Sequence, residues 1–191
     1  MKKSESTFEA IGAYPKEFIL NDGTGVTIRP LDDGDRDALA AMFKRFSEED
    51  LWFLNHDLSD PALIGRWLRH LDPKRIISLV AILEGRIIAN AAMMMKRYGA
   101  RSHIGKIRIA VDPLFRGKRL ATWLLLDLVN LGMSLGLGRL VMRLVSDRDD
   151  SIIKAVQKLG FTEEANLEDY VLDSDGNPHD LVIMTKTLPQ V

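Results

Sequence analysis

The sequence predicts a single mixed α/β domain, and three observations lead to this prediction. Runs with strand periodicity and runs with helix periodicity follow one another in the order β-αα-βββ-α-β-α-ββ. No linker, internal repeat or low-complexity segment separates these runs. The 191 residues are 46% hydrophobic and 28% charged, which is typical of a globular chain with one sizeable core.

Composition limits the partners and the compartment. The 26 Lys and Arg residues nearly balance the 27 Asp and Glu residues, so a net charge of -1 gives no overall attraction to nucleic acid or to an acidic membrane. The chain has no cysteine, which excludes disulfides and a catalytic thiol and favours the reducing cytoplasm. The first residues lack the apolar run of a signal peptide, and the longest apolar stretch, Leu120 to Leu137, is too polar to span a membrane.

The chain is expected to begin with a loosely held tail, residues 1–16, ahead of the domain proper, residues 17–191. Two short runs, Glu17 to Leu20 and Gly25 to Leu31, flank Asn21-Asp22-Gly23-Thr24. Asn, Asp and Gly between two apolar runs are typical of a hairpin turn. The domain is therefore predicted to start with a hairpin.

Two amphipathic helices are predicted next. The first follows the capping segment Asp32 to Asp37 and places Leu39, Met42, Phe43 and Phe46 on one face. The second begins at Asp60-Pro61, a cap residue followed by proline at the first helical position, and ends before Pro73.

The rest of the chain alternates strands with helices. Strands are predicted at Ile76 to Leu83, Ile87 to Met95, His103 to Val111, Leu140 to Val145, around Val171 and at Leu181 to Leu188. A long helix is expected from Arg116 to about Leu137 and a shorter one from Asp150 to Leu159. The order of these elements makes one α/β domain the simplest interpretation.

Three cations lie at the predicted start of the long helix. Arg116, Lys118 and Arg119 occur within four residues, together with Gly117. A helix start already carries about half a positive elementary charge and N–H groups without partners, so cations are unfavourable there unless an anion is bound. A phosphate would resolve this conflict. The alternative is that the side chains extend into water, where each repulsion costs less than about 1 kcal/mol.

This segment resembles the acyl-coenzyme A loop of the GNAT superfamily of N-acyltransferases. The family pattern, Gln/Arg-x-x-Gly-x-Gly/Ala after a strand that ends near Val-x-Pro, is similar to Val111-Asp112-Pro113 followed by Arg116 to Ala121. The element order from about Val26 to Leu188 and the segment Lys158-Leu159-Gly160-Phe161 are also like the family. The segment Phe46-Ser47-Glu48-Glu49 faintly resembles the branch that acetylates protein lysines. The resemblance implies a single GNAT-like domain, with a mixed, mostly antiparallel sheet flanked by helices.

The resemblance also implies a co-substrate and its contacts. The co-substrate would be acetyl-coenzyme A, and the acceptor an amine on a small molecule or a protein. The N–H groups of the loop would hold the pyrophosphate, and the main chain of Ile109 and Val111 would pair with the pantetheine arm. The coenzyme-binding set is Ile109, Val111, Arg116, Gly117, Lys118, Arg119, Leu120, Ala121, Thr122 and Asp149. Relatives often pair through their last strands, so a homodimer is an open expectation.

Four positions depart from the family pattern. Arg119 stands where the family has its central loop glycine, so it either crowds the phosphate or clamps it. Val156 replaces the tyrosine that donates a proton, and Asp149 replaces an asparagine near the pantetheine, where a helix-capping role is the simpler expectation. Lys106 replaces a glutamate of the lysine-acetylating relatives and would repel an ammonium group.

No catalytic residue is assigned by the sequence. His103, Glu48, Glu49 and Tyr170 are candidates for moving a proton, although each residue type is more often structural or solvated, and a water chain can serve as the base. The histidines show no metal-ligand spacing, so no metal is expected.

Two functions stay open at this point. The first is transfer of an acetyl group from acetyl-coenzyme A to a primary amine. The second is a catalytically silent acyl-coenzyme A sensor or regulatory module, which is favoured by the joint departures at Lys106, Arg119, Asp149 and Val156. Nucleic-acid binding is a distant third because the chain lacks a basic stripe with interleaved aromatic residues.

Overall fold

One eight-stranded sheet organises the protein, whose computed structural model describes residues 11–54, 60–69 and 71–189. The strands are β1 (Lys16–Ile19), β2 (Gly25–Pro30), β3 (Ile76–Leu83), β4 (Arg86–Met95), β5 (Ile104–Val111), β6 (Arg139–Val145), β7 (Thr162–Leu172) and β8 (Pro178–Thr187). The helices are α1 (Arg36–Phe43), α2 (Glu48–Phe53), α3 (Pro61–Arg69), α4 (Leu120–Ser134) and α5 (Asp150–Lys158). The spatial order of the strands is β1-β2-β3-β4-β5-β6-β8-β7.

Every neighbouring pair of strands is antiparallel except β5 and β6, which run parallel. Parallel neighbours need a crossover, because the chain must return to the same edge of the sheet before it can pair again. Helix α4 is that crossover, and the loop that precedes it therefore leaves the carboxyl end of β5. The predicted mixed, mostly antiparallel sheet is confirmed.

The two faces of the sheet carry separate cores. On one face the main core buries α4 and α5 against the sheet, with Leu124, Leu128 and Val156 each 2% exposed or less. On the other face a smaller core packs α1 and α3 on β3, β4 and Ala110 of β5. Helices cover both faces of the central strands, so β3 and β4 are apolar on both sides.

The first predicted helix is divided in two. Asp32 caps a short 3-10 turn at Asp33–Asp35, α1 follows and ends at Phe43, and Phe46 lies beyond it. The Ser47 hydroxyl then accepts the Asp50 N–H at 3.0 Å and starts a new helix, α2. The helical spacing of Phe46 correctly predicted that it packs beside Phe43, because the two ring centroids lie 5.2 Å apart. The same spacing wrongly predicted one continuous helix.

The chain start also differs from expectation. The predicted order counted the first hairpin as one strand and expected two early helices. The structure has two strands and three helices there, so the observed order is ββ-ααα-βββ-α-β-α-ββ. Residues 1–10 of the predicted tail lie outside the described residues. Its last part contacts the fold: Ile11 and Tyr14 pack against the main core, and Tyr14 and Lys16 both donate hydrogen bonds to the buried carboxylate of Asp127.

Asp112 fixes the carboxyl end of β5. Its side chain is fully buried, and its Oδ2 lies 2.6 Å from the guanidinium of Arg45, just after α1. The other carboxylate oxygen accepts the Leu114 N–H at 3.0 Å. Arg45 also donates to the carbonyls of Ala41 and Ile87, so one carboxylate joins α1, β4 and the start of the next loop.

No helix within the described ranges is long and apolar enough to cross a membrane.

Asp112→Ala is expected to lower the free energy of unfolding by about 3 kcal/mol, because it leaves a half-buried guanidinium without its counterion. Asp37→Ala is the matched control, since Asp37 and its partner Arg36 are both exposed and a surface pair of this kind contributes little to stability. Urea unfolding of both variants measures the difference. Equal losses in the two variants would contradict the anchoring role of Asp112.

Candidate functional site

A gap opens in the sheet where β5 and β6 stop pairing. Their register runs over three pairs only, Ile104 with Arg139, Gly105 with Leu140 and Lys106 with Val141. Beyond these pairs β5 stays paired with β4 as far as Val111, and β6 stays paired with β8 as far as Val145. The two parallel strands therefore diverge toward their carboxyl ends, next to the loop that leads into α4.

The β5 edge of this gap presents peptide groups. The Asp112 N–H bonds to Ile88 O of β4 at 2.9 Å, which fixes the direction of its peptide group toward β4. Because successive residues of a strand alternate in direction, the N–H and C=O groups of Ile107, Ile109 and Val111 point toward β6. An extended ligand arm can pair with this edge as a strand would. The main-chain groups of Ile107, Ile109 and Val111 thus lie on the open edge of β5, and the pairing of Ile109 and Val111 with a pantetheine arm stays a prediction.

The loop between β5 and α4 has an unusual backbone. Gly117 has φ 77° and Arg119 has φ 62°, both in the left-handed region. Arg119 occupies the N-cap position of α4, and its side chain makes no capping hydrogen bond. The first N–H groups of a helix have no partner within the helix, so those of Leu120, Ala121 and Thr122 face outward from the start of α4. The long helix therefore begins at Leu120, not at Arg116 as predicted.

Side chains of the loop have different partners. Lys118 pairs with Asp22 at 2.8 Å, and Arg116 pairs with Asp50 at 2.7 Å while its Nε reaches Val111 O at 3.3 Å. Within the described part of the chain, the exposed Arg119 side chain has no carboxylate within ion-pair distance. Leu120 is buried in the main core, so only its main chain faces the loop. Arg119 is the loop cation most available to an anion.

Asp50 of α2 is the acidic group that faces the gap. It pairs with Arg116 from the loop and with Arg148 from the β6–α5 connection, and these two arginines lower its pKa against the raising effect of burial. Glu48 and Glu49, which sequence analysis singled out, are exposed on the same helix. Glu48, Glu49 and Asp50 are consecutive acidic residues, and only the packing of α2 against the two arginines decides which of them faces the gap. No sequence signal therefore distinguished Asp50.

Helix α2 lies over the open end of the gap. Besides the Asp50 pairs, its Trp52 ring N–H donates to Leu172 O of β7 at 2.7 Å, and the Leu54 carbonyl that follows it accepts from Arg108 of β5 at 3.0 Å. None of the six helix residues is fully buried. Polar contacts from four other parts of the fold thus hold this helix in place.

Asp149 lies on the β6 side of the gap. Its Oδ2 accepts the Val145 N–H at 2.8 Å, and its Oδ1 accepts a hydrogen bond from Arg148 at 3.1 Å. Asp149 occupies the N-cap position of α5, as a capping residue would, but its side chain makes no capping hydrogen bond. The predicted capping interaction is therefore wrong. Burial raises the pKa of this carboxyl, with the Val145 N–H and Arg148 acting in the opposite direction.

The remaining proton-transfer candidates lie just before β5 and on β7. His103 precedes the first residue of β5, about 25 Å along the strand from Val111. Tyr170 is 59% exposed on β7. Val156 is 2% exposed within the main core, and Lys106 is exposed at the last register pair before the gap. Of the four candidate acids and bases, Glu48 and Glu49 lie on α2, and His103 and Tyr170 lie outside the unpaired part of β5.

One histidine that sequence analysis did not propose is close to α2. The His179 ring lies between Asp147 (2.8 Å) and Asp173 (3.3 Å), which raise its pKa, and it meets the Phe53 ring edge-on at 6.1 Å.

Over residues 11–54, 60–69 and 71–189 no group of three or more His, Asp or Glu side chains could hold a metal ion.

Comparison with known proteins gives one family match. The sequence pattern of the Acetyltransferase (GNAT) family matches residues 37–161. No curated protein sequence matches the chain significantly.

Solved structures share the fold at low sequence identity. The GNAT domain of PAT from S. lividans is 19% identical with a TM-score of 0.74, over 91% of this chain and 97% of that one. YncA from Salmonella typhimurium, whose structure contains its cofactor acetyl-CoA, is 21% identical with a TM-score of 0.72, over 87% and 95%. A ribosomal-protein-alanine N-acetyltransferase from Brucella melitensis is 22% identical with a TM-score of 0.71, over 84% and 99%.

Asp149→Asn is expected to flatten the pH dependence of stability. Because burial raises the pKa of Asp149 in the folded state, the free energy of unfolding falls as the pH rises from the unfolded pKa to the raised one. Asparagine keeps an acceptor for the Val145 N–H and has no proton to lose. Urea unfolding between about pH 4 and about pH 7 measures this, and the wild-type protein should lose stability relative to the variant.

Asp173→Asn is the control with the opposite sign. Asn177 is the main cause of a lowered Asp173 pKa of about 2, so this carboxylate stabilises the fold above its unfolded pKa and the contribution is lost as the pH falls. Parallel curves for wild type and Asp149→Asn would contradict the raised pKa.

Proposed function

The chain belongs to the Acetyltransferase (GNAT) family, and from this premise we propose that it transfers an acetyl group from acetyl-CoA to a primary amine by direct attack in a ternary complex. The observation that carries the proposal is the divergence of β5 and β6 beside a loop with two left-handed residues and a helix start. These features supply an edge for an extended arm and N–H groups for a pyrophosphate in one place. The acceptor is a small molecule or a protein, and the compartment is the cytoplasm.

The coenzyme-binding residues follow from this placement. The main chain of Ile109 and Val111 pairs with the pantetheine arm, and the N–H groups from Gly117 to Thr122 hold the pyrophosphate. Arg119 adds positive charge, while Arg116 and Lys118 are already paired with Asp50 and Asp22. On the opposite edge, Asp149 occupies the Val145 N–H and so closes that part of β6 to the ligand.

The transfer step makes modest demands on the protein. The neutral amine attacks the thioester carbonyl, a carbon–nitrogen bond forms, and the carbon–sulfur bond breaks to release the coenzyme thiolate. A main-chain N–H of the β5 edge stabilises the oxyanion. Water removes the proton from the attacking nitrogen, and no side chain is assigned as the base.

A silent acyl-CoA sensor is the second candidate function. It is supported by Val156, which is buried in the main core where the family's proton-donating tyrosine would stand. A valine cannot protonate the leaving thiolate. The two functions differ in one measurement: the sensor binds acetyl-CoA and releases no thiol with any amine.

Titration calorimetry with acetyl-CoA tests the loop. Gly117→Val is expected to weaken binding at least about tenfold, because a β-branched residue is strained at φ 77° and its side chain lies where the anion approaches. The added Cβ would meet no protein atom within 4 Å, so packing against the protein does not cause the loss.

Gly176→Val is the matched control. Gly176 has φ 85° and similarly open surroundings, but it lies in the β7–β8 turn. The same strain should therefore leave acetyl-CoA binding unchanged. No heat with the wild-type protein, or equal effects of the two substitutions, would refute the coenzyme loop.

Arg119→Gly separates backbone strain from phosphate binding. The left-handed conformation at φ 62° costs an arginine about 1 kcal/mol that glycine does not lose, so the variant should be slightly more stable. Loss of an exposed charge-assisted contact should weaken acetyl-CoA binding by about 3- to 10-fold. Tighter binding in the variant would mean that the Arg119 side chain crowds the ligand.

A further inference from the structure

Three cations lie on the face of the sheet that α2 covers, at or just beyond the point where β5 and β6 part. This side of the gap is called the acceptor side. Lys106 and Arg108 lie two residues apart on β5 and share a face with Ala110, which packs in the α1–α3 core. Arg143 lies on β6, two residues beyond the last register pair, and alternates with Met142 and Leu144 of the opposite core. All three side chains therefore stand on the face that α2 covers.

These cations have no counterion among the described residues. No Asp or Glu in residues 11–54, 60–69 and 71–189 forms an ion pair with Lys106, Arg108 or Arg143, and the Arg108 hydrogen bond goes to the Leu54 carbonyl. Two acidic groups of the described residues are engaged elsewhere, because Asp50 pairs with Arg116 and Arg148, and Glu164 pairs with Arg139. Positive charge is thus in excess on this face.

The environment makes that excess unfavourable. Burial lowers the pKa of Arg108, and burial followed by repulsion from Arg143, Arg101 and Lys96 lowers the pKa of Lys106. A half-buried guanidinium without a counterion is stabilised by any anion that reaches it, and its planar fork fits a carboxylate or a phosphate through two hydrogen bonds. A polycationic acceptor would meet repulsion at the same place.

We propose that the acceptor is a small amine that also carries a carboxylate or a phosphate, and that Arg108, with Lys106 and Arg143, binds this anionic group while the amine faces the thioester. The inference rests on the proposed acetyl transfer and names its substrate class. Arg108 is then a specificity-determining residue that touches the acceptor, and its bond to Leu54 O orients the fork.

Matched acceptors test the substrate class. Thiol release from acetyl-CoA is followed with O-phosphoethanolamine against ethanolamine, with glutamate and other amino acids against their amides, and with spermidine. At least one anionic member is expected to exceed its neutral partner at least about tenfold in kcat/KM, and the phosphate and carboxylate pairs show which anion is preferred. Equal or better rates for the neutral partners, or for spermidine, would overturn the proposal.

The proposed function can fail separately. If acetyl-CoA binds by calorimetry and no amine in the panel releases thiol, both the acetyl transfer and this acceptor class are rejected. If neutral amines turn over as well as anionic ones, the transfer stands and only the acceptor class is rejected.

Arg108→Gln tests the residue itself. The KM for the anionic acceptor should rise about 10- to 100-fold, with kcat and acetyl-CoA affinity nearly unchanged, because a charged hydrogen-bonding partner is lost. Arg108→Lys should restore part of the loss, and Arg66→Gln, an exposed arginine of α3, is the control without effect. If Arg108→Gln impairs anionic and neutral acceptors equally, Arg108 only supports Leu54 O and the assignment is wrong.

Discussion

Two parallel strands within an otherwise antiparallel sheet determine where the sheet opens. Parallel pairing of β5 and β6 requires the crossover helix α4, and the crossover places a loop and a helix start at the carboxyl end of β5. The same two strands part after three register pairs, so the unpaired edge of β5 lies beside that loop. The unpaired edge and the helix start are neighbours because both lie at the carboxyl end of β5. The ion pair between Asp112 and Arg45 fixes this end of the strand.

The charges around the gap are divided between two sides. At the loop between β5 and α4, Asp22 and Asp50 orient Lys118 and Arg116, so the proposed pyrophosphate would meet cations whose side chains are already ordered. On the acceptor side, Lys106, Arg108 and Arg143 have no such carboxylates in the described chain. A net charge near zero for the whole protein therefore conceals a strong local separation of charge.

The sequence was most informative where local periodicity and turn chemistry determine structure. The hairpin around Asn21 to Thr24 and the strands from Ile76 to Val111 were predictable in this way, whereas the long helix begins four residues later than its periodicity suggested. The break between α1 and α2 was not predictable, because Phe46 keeps the helical spacing while the Ser47 hydroxyl starts a new helix. Candidate acids and bases were harder still. Whether Glu49 or Asp50 faces the gap depends on how α2 sits against Arg116 and Arg148, which lie far away in the sequence. Asp149 lies on the β6 side of the gap, but its partner, the Val145 N–H, follows from tertiary geometry alone.

Helix α2 differs from the other helices because it buries none of its six residues completely. Its polar contacts include the two ion pairs of Asp50, the Trp52 bond to Leu172 O and the Arg108 bond to Leu54 O, and Leu51 packs only at the margin of the smaller core. An element that releases little apolar surface when it detaches has a low free energy of local opening, and ion pairs at a partly exposed site weaken as ionic strength rises. Amide hydrogens of this segment therefore exchange ahead of those in α4, and the entrance to the acceptor side loosens in salt while the sheet beneath it stays folded.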